Sequence, residues 1–273
     1  MLAVKGDPHV PSRAFLLVPV SVLFTFGIAL GLFACGGGGS SAPPVSSVTP
    51  VAFPVVISSD WRYLQDQKGV PFPILGRTAW FITSLLQTDY KTFIDDTAAK
   101  GYDAVEFHVV NHDSRGNHPP FNGNRDAPFL LQFGGGNYTS ISQVPDFTTP
   151  NEAYWSAVDG LHAYCESKGI LVFMFPAYVG YSGTDQGWMN EMVANGPTKM
   201  QAYGAWIATR YKNQKNIVWM AGGDMMNFDS GQTVVEDALI TGLNSVAKQQ
   251  SIYFSAEWTR GSIATDQVPL APR

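Results

Sequence analysis

Beyond residue 70 the chain keeps repeating one pattern, a short run apolar on both faces followed by a helix-length stretch with a single apolar stripe. The strand-like runs are residues 72–76, 103–110, 170–175, 216–221 and 251–256, and the helical stretches are 89–100, 151–168, 197–211 and 233–249. Gly101 and Gly169 stand just past two of the helices, where a left-handed residue ends the last turn. Strands apolar on both faces and separated by helices build a parallel sheet, because each crossover lays a helix on it. The links from helix back to strand are short, whereas those from strand to helix are long and polar, above all residues 111–149. That asymmetry is expected of a (β/α)8 TIM barrel, whose site is built from the loops at the C-terminal ends of its strands. Only four full βα units and a fifth strand fit into residues 57–273. A complete barrel has eight units and about 250 residues. The fold class expected is therefore α/β, a (β/α)8 barrel truncated after strand five, with an open edge and an apolar face that predict poor stability in isolation.

The first 35 residues have a different logic. Lys5 and Arg13 form a positive segment, residues 14–33 are almost unbroken apolar, and Leu32-Phe33-Ala34-Cys35 runs straight into Gly36 and a Gly/Ser stretch. This resembles a bacterial lipoprotein signal peptide, residues 1–35, in which Cys35 is lipidated and becomes the mature N-terminus. The competing reading is an uncleaved anchor, since about 20 apolar residues span a bilayer. Either one places the body in the cell envelope outside the cytoplasm, tied to the membrane. Residues 36–56, rich in Gly, Ser, Pro and Val, read as a flexible tether, and residues 57–273 as the partial barrel. Within that barrel segment, residues 61–72 carry a hairpin signal around Gln67-Lys68-Gly69.

A formal charge of −5 with no basic run argues against nucleic acid as a partner. The only cysteines are Cys35 and Cys165, so a lipidated Cys35 leaves Cys165 unpaired, as a small buried hydrophobe within a helix. His108, His112 and His118 have no standard metal-ligand spacing, and neither metal nor other cofactor is expected.

In a barrel, reactive groups sit at strand C-termini. The fourth strand ends Gly222-Gly223-Asp224, where two glycines permit a sharp turn and leave a carboxylate over the mouth. Glycoside hydrolysis needs two carboxylates, one to protonate the leaving oxygen and one to attack the sugar or activate water. An enclosed, aromatic-lined mouth raises the acid's pKa toward its working range. Asp224 is the candidate catalytic residue; its alternative is a helix N-cap. Glu106 and His108 share one face of the second strand, where they either bind sugar hydroxyls or pair with each other. Glu257, at the end of the fifth strand, is a candidate second carboxylate, a sugar-binding group or an ion-pair partner of Arg260. Trp80, Tyr178 and Trp258 are the rings placed to stack on sugar.

Several short motifs then point to one family. They are Arg62-Tyr63-Leu64 with Gly69-Val70-Pro71-Phe72, Leu75-Gly76-Arg77-Thr78-Ala79-Trp80, and Asn151-Glu152-Ala153-Tyr154 with Val158-Asp159. The most specific are Tyr203-Gly204 with Arg210-Tyr211, and Asn216-Ile217-Val218-Trp219 leading into Gly222-Gly223-Asp224. Together they resemble the apiosidase-like barrels, glycoside hydrolase family 140 and relatives, over about residues 60–267. The resemblance implies a TIM barrel, a retaining mechanism with Asp224 as acid/base, and a glutamate nucleophile after a seventh strand that this chain does not reach. It implies plant cell-wall polysaccharide as substrate, with apiose-linked side chains of pectin in the characterised cases. The motifs depart from the family at Arg77, where relatives tend to carry an acidic residue. The reading from a different class is a non-catalytic carbohydrate- or matrix-binding surface lipoprotein on a degenerate barrel.

Overall fold

The computed structural model describes residues 51–181, 186–225, 228–247 and 254–257. Three two-residue strands come first: β1 (Val56–Ile57), β2 (Leu64–Gln65) and β3 (Pro71–Phe72), an antiparallel ribbon in the order β1-β2-β3. Gly69, at φ +79°, forms the turn before β3. Then β4 (Gly76–Thr78), α1 (Gln87–Ala99), β5 (Ala104–His108), α2 (Glu152–Ser167), β6 (Leu171–Phe175), α3 (Met189–Arg210), β7 (Ile217–Gly222), α4 (Ser230–Ala247) and β8 (Phe254–Glu257) alternate. The last five strands form one parallel sheet in the order β4-β5-β6-β7-β8, five of the eight strands of a barrel.

Two boundaries differ from the sequence expectation for local reasons. The apolar run 72–76 is split, because Phe72 pairs with Leu64 in the ribbon and Pro73 follows with no N–H to offer. The first barrel strand therefore begins at Gly76, beside Ala104. The helix expected at 197–211 is preceded by another, residues 189–195, which abuts it at a kink where Gly196 takes φ +74° and Pro197 opens the second segment. Residues 51–56, at the end of the tether reading, pack on the barrel body. Val55 is buried with Phe72, Ala104, Leu171 and Val218, and the Ala52 N–H donates to Asp66.

Alternation along the strands sorts the two faces. Val105, Phe107, Val172, Met174, Ile217 and Trp219 join the main core with Ile94, Trp155, Leu161, Tyr203, Ile207 and Leu239 from the helices. Ala104, Leu171 and Val218 lie on the other face, followed toward the strand ends by Phe175 and Met220. Cys165 is fully buried in that main core, which pushes its thiol up to about 12, so it is no nucleophile. Helices α3 and α4 approach through Gly204 and Gly242: a Cβ on Gly204 would lie 2.3 Å from the Leu239 carbonyl oxygen.

Candidate active site

The inner face of β5 ends in Glu106 and His108, in register with Phe173 and Phe175 of β6. The two polar groups do not form a pair of their own. Trp80, two residues past β4, donates its indole N–H to Glu106 Oε1 at 3.0 Å. His108 lies between two parallel rings, Tyr178 at 4.1 Å and Trp80 at 6.2 Å, with Phe175 edge-on at 5.5 Å. Burial drives its imidazole down to about 3, against the opposing pull of Asp113, so His108 is a neutral ring within an aromatic stack. His112 leaves this stack and meets Glu191 of α3 at 3.0 Å, under the edge of Trp188.

At the end of β7 the chain turns on two glycines. Gly222 has φ +84°, and a Cβ on Gly223 would sit 2.9 Å from the Tyr178 ring and 3.0 Å from Val179. Three successive N–H groups are each satisfied by a different element. Gly222 donates to Glu236 Oε1 of α4 at 2.9 Å, Gly223 to the Glu257 carbonyl at 2.9 Å, and Asp224 to the Tyr178 hydroxyl at 3.3 Å. Asp224 is thereby held half-buried at the mouth. It does not cap the next helix; Asp229 does, accepting from the Gln232 N–H at 2.8 Å.

Glu257 closes the cluster. It stands in register with Gly222, its Oε2 is buried without a hydrogen-bond partner, and its carboxyl is pushed up to about 7. Burial is the main cause, and the charges of Glu106 and Asp224 add to it. The Tyr178 phenol is raised by burial, against the Asp224 N–H bond to its oxygen, and the charges of Asp224, Glu257 and Glu106 add to the rise. Four of the sequence-predicted groups, Glu106, Tyr178, Asp224 and Glu257, thus share one electrostatic environment, walled by Trp80 and His108. Trp258, Arg260 and Cys35 lie outside the described residues.

Two residues change standing. Arg77 turns away from the mouth toward α1, bonding Asp96 at 2.9 Å and Thr97 at 3.1 Å with its guanidinium 4.4 Å from the Phe93 ring. The departure at this position is answered by helix packing. Glu236 was missed, although an acidic residue between Val235 and Leu239 on the buried side of α4 was a readable signal. It is 1% exposed, and burial pushes its carboxyl up to about 7.

A family model for the apiosidase-like catalytic domain matches residues 58–267. The chain belongs to that family. Among solved structures it resembles a glycoside hydrolase at 21% identity (TM-score 0.55), covering 76% of this chain and 41% of that one. A family 5 glycoside hydrolase from Bacteroides vulgatus matches at 25% identity (TM-score 0.53), over 74% of this chain and 39% of that one. An endo-1,4-beta-mannanase from Rhizomucor miehei matches at 15% identity (TM-score 0.50), over 79% and 64%. The chain thus spans about two fifths of the first two structures and under two thirds of the third. No curated protein sequence matches it. The parallel sheet and its helices are therefore part of a TIM barrel like those of the glycoside hydrolases it resembles.

Proposed function

We propose that the domain hydrolyses O-glycosidic bonds of a complex, pectin-like plant cell-wall polysaccharide with retention of configuration, and that Asp224 is the general acid/base. The observation that carries this reading is the meeting of Asp224 and Glu257 beside Tyr178 at the strand C-termini, on a chain of the apiosidase-like family. Asp224 delivers its proton to the leaving oxygen and later takes one from water. Glu257, neutral below about pH 7, donates a hydrogen bond to a sugar hydroxyl and spares Asp224 a second adjacent charge. Trp80 offers an indole face, oriented by Glu106, for stacking on a sugar ring. Retention needs a nucleophilic carboxylate about 5–5.5 Å from the acid/base. The nucleophile is assigned to a later barrel strand than the five described. Lipidation of Cys35, supported by the sequence alone, holds the domain outside the cytoplasm at the membrane.

Asp224→Asn, made in the full-length protein with the strand that carries the nucleophile, tests the assignment. With pectic oligosaccharides the variant should lose about 10²–10⁴-fold in kcat, the usual contribution of a positioned proton donor, while still binding substrate. Unchanged hydrolysis would overturn the acid/base role. Binding by the wild type without hydrolysis would favour the carbohydrate-binding reading.

A further inference from the structure

A buried carboxyl on the helix behind the sheet has no place in the chemistry so far. Glu236 is 1% exposed, and its Oε2 has no hydrogen-bond partner. Among the described residues no lysine, arginine or histidine forms an ion pair with it. Its one strong bond is the Gly222 N–H on Oε1 at 2.9 Å. An apolar side chain would avoid the cost of burying a carboxyl among Val235, Leu239 and their neighbours. It would also leave the Gly222 N–H unanswered at the point where strand gives way to turn.

We propose that Glu236 is a positioning residue that fixes the carboxyl of Asp224 through the Gly222–Gly223 turn. The proposal rests on the acid/base reading of Asp224. Glycine backbones reach conformations closed to other residues, so two in succession give the turn little stiffness of its own. What stiffens it is the set of three N–H bonds, to α4, to β8 and to Tyr178. Of the three acceptors, only the one on Gly222 is a side chain outside the mouth. The Glu257 acceptor is a main-chain carbonyl of β8 and the Tyr178 hydroxyl faces the mouth, so Glu236 is the side chain that holds the turn from behind. Loss of that hold frees the 221–222 peptide at the entry to the turn and carries the carboxyl off the leaving oxygen. A displacement of about 1 Å costs on the order of 10²-fold in rate.

Two substitutions separate this role from packing. Glu236→Gln keeps an acceptor oxygen for Gly222; Glu236→Leu keeps approximate size and removes it. In the full chain, Glu236→Leu should lower kcat by roughly 10–100-fold with KM within about twofold, and Glu236→Gln should stay within about threefold of wild type. Hydrogen exchange of a peptide covering residues 217–225 gives a reading that needs no activity. The Gly222 amide should exchange about tenfold faster or more in Glu236→Leu, and at the wild-type rate in Glu236→Gln. If Glu236→Leu does not fold, the more adaptable Glu236→Met takes its place. Equal kcat and equal exchange in the Gln and apolar variants overturn the proposal. Should the wild type hydrolyse nothing, exchange alone decides whether Glu236 holds the turn, and it is the role of Asp224 that fails.

Discussion

Replacing Glu236 with glutamine should remove a large part of the pH dependence of stability that its burial imposes on the folded domain. The carboxyl is pushed from a free value of 4.5 up to about 7 in the folded state, chiefly by burial. An acid whose folded pKa is raised binds its proton more tightly in the folded chain. Its contribution to stability is therefore complete below pH 4.5, falls as pH rises, and is gone above about 7. At about 1.4 kcal/mol per pKa unit the full span is roughly 3 kcal/mol, most of which falls between pH 5 and pH 8. For a domain of this size each kcal/mol moves Tm by about 2–4 °C. The difference in Tm between pH 5 and pH 8 should therefore shrink by roughly 5–10 °C in Glu236→Gln. Asp103, Asp237 and Glu257 are raised in the same direction, but they are common to both proteins and cancel in the comparison. Circular dichroism melts of both proteins at the two pH values make the measurement. Parallel pH dependence in wild type and variant would mean that the Glu236 carboxyl is not held neutral by its surroundings, and the reasoning fails.

Glu257→Gln should abolish a fall in kcat/KM that the wild type shows above about pH 7, because the amide stays neutral where the carboxyl ionises; a persisting limb assigns it to another group. Arg77→Ala should cost about 1 kcal/mol of stability through its bonds to Asp96 and Thr97, yet leave substrate preference unchanged; a tenfold shift in specificity would put the side chain back in the mouth. Gly204→Ala should destabilise by about 1–3 kcal/mol, as a methyl meets the Leu239 carbonyl, and a melting curve matching wild type would contradict the close helix approach.

The sheet was legible because burial on both faces leaves long apolar runs, and the helices because each carries one stripe. The place of Asp224, just past a turn at the end of a buried strand, was legible because Gly222-Gly223 follows an apolar run directly. What was hidden is what depends on contact between distant segments. The side on which Arg77 emerges follows from the register of Gly76 against Ala104, set by residues 28 positions apart. The stacking of His108 with Trp80 and Tyr178 joins the end of one strand to the loops after two others and has no local signature. The helix before Gly196 was masked by Pro197, which locally reads as a beginning although it only redirects a helix already formed.

Each strand of the five-stranded sheet after β4 pairs with its nearest predecessor in the chain. Each ladder therefore closes over a single loop and helix, and strands can be added in the order in which the polypeptide emerges. The widest interval lies between β5 and β6, where Ala104 meets Leu171 across the longest loop. Closure entropy grows only logarithmically with length, by about 0.6 kcal/mol per doubling. The segments that shape the mouth can thus lengthen or change sequence at small energetic cost, while the order of assembly stays the same. A scaffold wound in this way leaves new specificities open to evolution without asking the fold to be solved again.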